Sequence, residues 1–128
     1  MFVFIIDFFK SEGKVELIFN QEIIKKKNFD DRWVKFAFGP QGFLKTENLN
    51  LGIVNFKKSS IALNHSHDVE EALYVLSGKA QVKIAGKILN INKNDFVYIP
   101  AHTDHQVITG EKSIKILFIF GGAITITH

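Results

Sequence analysis

Residues 64–78, NHSHDVEEALYVLSG, place two histidines one residue apart, a glutamate after three further residues, and a glycine at the end. The chain has only five histidines, so His65 and His67 beside Glu71 concentrate groups that bind metals. On an extended strand these two histidines would share a face with Cα atoms ~6.6 Å apart, and two imidazoles at that separation can chelate one cation. The spacing therefore predicts part of a metal site, which needs further ligands from elsewhere in the chain.

A second pair of histidines follows in IPAHTDHQ, residues 99–106, where His102 and His105 come after Pro100. Four of the five histidines thus fall in two short segments, each beside a predicted strand. Three imidazoles and one carboxylate suit the divalent ions Fe, Mn, Ni, Co, Cu and Zn. The alternative, that each histidine is packed or solvated separately, accounts less well for this clustering.

Short apolar segments separated by turn residues make up most of the chain, and many alternate apolar and polar positions as strands do. Ala85-Gly86 predicts a hairpin turn, residues 92–95 predict a second turn, and only residues 20–27 carry a weak helical signal. About ten short strands of this kind predict an all-β sandwich or barrel. The predicted strands cover residues 1–9, 34–38, 51–56, 71–76, 80–84, 87–92, 96–100, 105–109, 113–120 and 123–127.

Composition limits the class of protein. A chain of 128 residues fits one domain, and 46% hydrophobic against 23% charged residues is typical of a globular protein. There is no cysteine, which excludes disulfides and thiolate metal ligands and favours a cytoplasmic location. The net charge of +3 is too small to predict a nucleic-acid partner, and acidic residues 30–31 offset the basic run at 25–27.

The start of the chain, MFVFIIDFF, is strongly apolar but does not read as a membrane segment. No basic residue precedes it, Asp7 interrupts it, and it is far shorter than the ~20 residues that span a bilayer. We therefore expect a β-strand and no membrane partner. Because an apolar strand at a sheet edge needs cover, we also expect a homodimer.

The first histidine segment resembles the first conserved motif of the cupin family. That motif runs Gly, five residues, His-X-His, three or four residues, Glu, six residues, Gly. His65, His67, Glu71 and Gly78 stand at the corresponding positions, and Ser59 replaces the leading glycine.

The second histidine segment resembles the second cupin motif more loosely. Pro100 and His105 are correctly spaced. Asn94 and His102 stand where the motif has glycines, and Thr109 stands where it ends in asparagine. Asn and His are enriched among the non-glycine residues that adopt positive φ, so both can still serve a turn.

The resemblance implies a double-stranded β-helix, or jelly-roll barrel, as the fold. It implies one divalent metal ion, with His65, His67, Glu71 and His105 as the ligands. The domain prediction is a single cupin domain over residues 1–128, with its motif core at about 59–109 and an N-terminal strand extension at about 1–30.

Two classes of function remain open from the sequence. By resemblance, the first is a metal-dependent enzyme that acts on a small sugar, keto or hydroxy acid, or phenolic acid by isomerase, lyase or dioxygenase chemistry. In that reading His102 is a candidate catalytic acid or base, although the role of capping its loop is the favoured one. The second is a non-catalytic module that binds or senses a small ligand.

Overall fold

The structure is a computed structural model that describes residues 5–9 and 13–122, with side-chain burial from residue 17 onward. The described part of the chain forms ten β-strands and one short 3-10 turn, Gln21–Ile23. The strands are β1 Ile5–Phe9, β2 Gly13–Glu16, β3 Lys27–Asn28, β4 Arg32–Phe38, β5 Asn50–Phe56, β6 Glu71–Ile84, β7 Lys87–Asn92, β8 Phe96–Ile99, β9 His105–Ile108 and β10 Ile114–Phe120.

The strands pair in the order β3-β4-β5-β10-β6-β7, and every pair is antiparallel. Strand β6 is central because β8 pairs with its first residues, 71–74, whereas β9 pairs with its last residues, 81–84. One long strand therefore belongs to two sheet faces that enclose a shared core. This all-β jelly-roll barrel is the predicted fold.

Period-two alternation sets the direction of the side chains. Strand β5 alternates buried and half-buried residues along its whole length, and β6 buries Glu71, Leu73 and Val75 on one face. The core between the two faces is apolar, with Val75, Val82, Ile99, Ile114 and Ile116 almost completely inaccessible to solvent.

Strand β6 corrects one prediction. The sequence suggested two strands at 71–76 and 80–84, but the structure has one continuous strand that passes through Gly78. Gly78 has a φ of +82°, and the register with β10 shifts between Lys115 and Ile116. A Cβ at Gly78 would contact the carbonyl oxygen of Ser113. The register shift marks a bulge whose unpaired residue is Leu76, so Gly78 lies beside the bulge and does not end the strand.

Two short-range predictions have different outcomes. Ala85 and Gly86 both have positive φ, +50° and +82°, as a type I′ turn requires, and they join β6 to β7 as predicted. The weak helical signal at 20–27 yields only the single 3-10 turn, which Asn20 caps by accepting a hydrogen bond from the backbone N–H of Glu22.

The phenylalanines divide between the two sides of the barrel. Phe36, Phe56, Phe118 and Phe120 are buried. The position of Phe96 on a predicted strand favours a place in the core, but Phe96 is 82% exposed because it lies on the outward face of β8. Strand propensity predicted the element correctly, but it could not assign the face.

The apolar start forms a strand in the residues that are described. Strand β1 pairs with β2 in a separate two-stranded sheet. The strand predicted at 123–127 lies outside the described residues. Over the described ranges, no helix has the length and apolar character needed to cross a bilayer.

Candidate metal centre

The two histidines of the first segment lie on an extended stretch that connects β5 to β6. The sequence placed them on a regular strand, but this stretch has only isolated bridges, at Ile61 and His65. His65 bridges His105 through two backbone hydrogen bonds, of 3.0 and 2.8 Å. The two histidine segments are therefore joined directly, backbone to backbone, and the bridge brings their rings together.

Three imidazoles converge at this point. One ring nitrogen from each of His65, His67 and His105 lies within 4.8 Å of the other two. Nitrogens that each lie ~2.1 Å from one ion are at most ~4.2 Å apart, so small ring rotations would bring all three into a coordination shell. The structure thus assembles the three histidines that the cupin resemblance implied.

Glu71 lies beside this cluster and not within it. It is the first residue of β6 and is 8% exposed, and its Oε1 lies 3.2 Å from Nε2 of His105. Among the described residues, this buried oxygen has no hydrogen-bond partner. The four-ligand set that includes Glu71 stays a prediction.

Backbone carbonyls fix the tautomers of two rings. Nδ1 of His65 lies 2.7 Å from the oxygen of Leu63, and Nδ1 of His105 lies 2.9 Å from the oxygen of Thr103. Because a carbonyl can only accept, Nδ1 must be the donor in both rings. In the neutral rings Nε2 is then a lone pair, as in metal-binding histidines whose other nitrogen is held by an outer group.

The positions of His105 and Glu71 indicate whether the site can accommodate a cation. In its neutral form, His105 presents an acceptor lone pair to a buried carboxylate oxygen only 3.2 Å away. Two acceptors at that distance repel each other unless a cation lies between or beside them, either a proton or a metal ion. The donor set of imidazole nitrogens and a carboxylate therefore fits a divalent metal.

The pKa of His105 reflects the same conflict. Burial acts to lower this pKa, but the contacts with Glu71 and the Thr103 carbonyl, together with the charges of Glu71 and Asp104, act to raise it. The net pKa lies above the usual value for histidine. A proton consequently competes with a metal ion for this ring.

His102 contributes to the site through its backbone. Its N–H donates to the carbonyl oxygen of His67 across 2.6 Å, and its side chain is exposed. His102 is not among the residues that line the cavity, and its catalytic role stays a prediction. In the structure, His102 is a loop residue whose backbone hydrogen bond holds the segment that contains His67.

Three departures from the cupin motifs keep the backbone shape that glycine usually provides. Ser59, Asn94 and His102 stand where the motifs have glycine, and their φ angles are +56°, +76° and +60°. The turns therefore survive with residues for which this conformation is less favourable.

An apolar cavity of about 80 Å³ lies in front of the histidine cluster and Glu71. Its walls are aliphatic and aromatic side chains from both sheet faces. The lining residues that are not fully buried mark its rim: Arg32, Leu63, His65 and His67. Representative wall residues are Val34, Phe36, Phe56, Val107, Phe118 and Phe120.

Arg32 is a rim residue that the sequence reasoning did not select. It is the single arginine in the chain, while the other fifteen of the 16 basic residues are lysines. That contrast is a signal in the sequence, but only the fold shows that this side chain lines the cavity.

The fold is thus an antiparallel jelly roll, in which three histidines lie together at an internal cavity. Residues 52–120 match the sequence model of a family described as the cupin domain, which is more than half of the chain. The protein therefore belongs to the cupin family.

Individual relatives are distant. An uncharacterized protein from Streptomyces coelicolor is 22% identical over 78 residues, which is 61% of this chain and 74% of that protein. The DMSP lyase DddQ from Ruegeria pomeroyi superposes with a TM-score of 0.74 at 17% identity, over 83% of this chain and 60% of the lyase.

Oxalate decarboxylase from Bacillus subtilis, studied for its Mn(II) centers, superposes with a TM-score of 0.73 at 20% identity. The superposition covers 84% of this chain and 30% of the decarboxylase. The chain spans less than two thirds of either solved structure, and at these identities the likeness shows the fold alone.

Proposed function

We propose that this cupin is a metal-dependent enzyme that holds one divalent ion through His65, His67, Glu71 and His105. The ion belongs to the group Fe, Mn, Ni, Co, Cu and Zn, which imidazole and carboxylate ligands accommodate. The observation that carries the proposal is the pairing of a buried, unsatisfied Glu71 oxygen with the Nε2 lone pair of His105, next to two further imidazoles.

A bound divalent ion would polarise a substrate oxygen at a coordination position that the protein leaves open. The chain supplies the orientation. The carbonyls of Leu63 and Thr103 hold two rings with Nε2 directed inward, and Glu71 supplies the negative charge that partly neutralises the ion. The apolar walls exclude water, which strengthens every electrostatic interaction inside the cavity.

The substrate we propose is a small oxygenated molecule: a sugar, a keto or hydroxy acid, or a phenolic acid. The reaction is an isomerisation, a lyase step or a dioxygenation, because each proceeds through an oxygen that a metal can polarise or bind. A small cavity with a metal-ligand cluster at one side supports a substrate that is partly apolar and carries an oxygen donor.

A non-catalytic binding or sensor module is the second candidate, and one observation favours it. Apart from the four proposed ligands and Arg32, the described cavity lining is apolar. The wall therefore offers no additional acid or base for proton transfer, which a ligand-binding protein does not need.

The two candidates are separated by measuring binding and turnover on the same compounds. The metal content of protein purified without added metal is determined first, and sugars, keto acids and phenolic acids are then screened by calorimetry with and without metal. An enzyme should form product only with metal, and Glu71→Gln and His105→Ala should abolish turnover while circular dichroism stays unchanged. Metal-independent binding without product across all three compound classes would favour the sensor.

Two further proposals concern the setting of this activity. A chain without cysteine needs no oxidising compartment, which supports the cytoplasm. The apolar start of the chain and the exposed aromatic residues of β8 support a homodimer.

A further inference from the structure

Arg32 faces the cavity because of its place in strand β4. Val34 and Phe36 line the cavity, and a residue two positions before Val34 shares their face. The side chain of Arg32 is 12% exposed and lies at the rim. It is the one lining residue in the described chain with a permanent positive charge.

The contacts of Arg32 leave most of its donors available. Nη1 donates to Oδ1 of Asp31 across 2.8 Å, and the guanidinium carbon lies 4.2 Å from the centre of the Phe29 ring. In the described part of the chain, Asp31 is the one hydrogen-bond partner of the guanidinium. A guanidinium has five N–H groups in a planar fork, so four remain to bind an oxyanion.

The charges that line the cavity favour an anionic ligand. A divalent ion would carry one positive charge more than Glu71 can balance, whereas the charge of Arg32 is paired with Asp31 across 2.8 Å, and the surrounding walls are apolar. Uncompensated charge beside apolar walls is unfavourable, and an anion that enters the cavity relieves it.

The strand register indicates the shape of that ligand. Arg32 pairs with Phe56, which pairs with Ile114, while Phe120 pairs with Glu71 six residues further along β10. At ~3.3 Å per residue, the backbone positions of Arg32 and Glu71 are ~20 Å apart along the strand direction. Their side chains point into the cavity and shorten this distance. A ligand that reaches both ends is therefore elongated.

We infer that Arg32 binds the carboxylate of an elongated, partly apolar carboxylic acid whose far end carries the oxygen donor directed at the histidine cluster. This inference rests on the proposed function and narrows its substrate class to acids, with an aromatic body that suits walls built from Phe36, Phe56 and Phe118. Arg32 is then the residue that makes the site prefer a negatively charged substrate over a neutral one.

The test compares three phenolic acids (caffeate, ferulate and dihydrocaffeate) with their primary amides, by calorimetry on metal-loaded and metal-free protein. At least one acid should bind about tenfold or more tightly than its amide, the ratio expected when one charge-assisted hydrogen bond is lost. Arg32→Met, which keeps an apolar stem, should reduce the acid-to-amide ratio to about two or less, while Arg32→Lys should keep part of it.

Lys115→Met is the matched control, because it removes one positive charge from the outer face of the sheet, where Lys115 lies 5.8 Å from the Trp33 ring centre. Its acid-to-amide ratio should equal that of the wild type. The inference is overturned if no acid binds at about 10 mM, if acids and amides bind equally, or if Arg32→Met keeps the ratio.

Metal content and turnover are measured on the same samples. A protein that binds metal and forms product but does not distinguish acids from amides contradicts the role of Arg32 alone. A protein that binds no metal but still prefers acids through Arg32 contradicts the enzyme proposal and supports the role of Arg32.

Discussion

Oε1 of Glu71 lies 3.2 Å from Nε2 of His105, at the point where the start of β6 faces the start of β9. Both groups are almost fully buried, at 8% and 5% exposure. Because the Thr103 carbonyl holds the hydrogen on Nδ1, the neutral imidazole and the carboxylate meet as two acceptors. We expect this pair to favour a bound cation, and the first predictions concern it.

Glu71→Gln should weaken metal binding by about tenfold or more, because it removes the formal negative charge of the site while preserving the shape of the side chain. The measurement is a competition titration against a chromogenic chelator. Glu70→Gln is the control, since Glu70 is exposed and accepts a hydrogen bond from Tyr98 on the outside of the barrel. Equal metal affinity for the two variants would show that Glu71 is not a ligand.

Metal binding should stabilise the fold, and removal of the metal should reverse the effect. At a free metal concentration about 100 times the dissociation constant, binding adds ~2.7 kcal/mol to the free energy of unfolding. His105→Ala should remove this gain. The measurement is urea unfolding with added metal and again with chelator. A chelator-sensitive gain of the same size in His105→Ala would mean that the metal binds elsewhere.

The pH dependence should have opposite signs with and without metal. The pKa of His105 in the folded, metal-free protein is raised, so its stabilising contribution is present below the unfolded value of about 6.5 and is lost as pH rises through the folded value. Metal binding instead strengthens as pH rises, because protons no longer compete for the ring.

Urea unfolding near pH 6 and near pH 8 tests this prediction. The metal-free wild type should lose more stability than Glu71→Gln between these two values, because the variant lacks the charged partner of His105. The stabilisation by added metal should be larger near pH 8. A metal-free wild type whose stability rises by more than that of Glu71→Gln over this range would contradict the raised pKa.

Gly78→Ala and Gly86→Ala form a matched pair for the backbone of β6. Both glycines have a φ of +82°, but a Cβ at Gly86 meets nothing within 4 Å, whereas one at Gly78 contacts the carbonyl oxygen of Ser113. Gly86→Ala should cost ~1 kcal/mol from φ alone, and Gly78→Ala ~2–4 kcal/mol, because steric overlap is added. Chemical denaturation of both variants is the measurement. Equal losses would show that the backbone at Gly78 relaxes freely.

The proposed homodimer predicts about twice the 14.5 kDa monomer mass in light scattering at micromolar concentration. Phe96 and Tyr98 on β8 and Ile119 on β10 form an exposed apolar patch, at 82%, 60% and 42% exposure. Phe96→Lys should shift the mass toward the monomer if this patch is the interface, while Lys93→Glu, in the turn before β8, should not. A monomeric wild type would contradict the dimer.

The sequence by itself determined most of the strands and located the candidate ligands in two short segments. Period-two alternation predicted the strands, because a side chain on a strand faces one side or the other and each side meets a different environment. The spacing of His65, His67 and Glu71 predicted a metal site, because few other arrangements need those groups together. Where local chemistry dominates, as in the Ala85-Gly86 turn, the prediction also succeeded at the level of single residues.

Contacts between distant segments were decided only by the tertiary structure. The bridge between His65 and His105 joins residues that are forty positions apart in the sequence. This separation along the chain does not predict that the two residues are close in space. Phe96 and Arg32 show the same limit. A strand pattern fixes which residues share a face, but only the packing of the sheets decides which face encloses the core. The tertiary structure was therefore needed to show that Phe96 faces outward and that Arg32 faces the cavity.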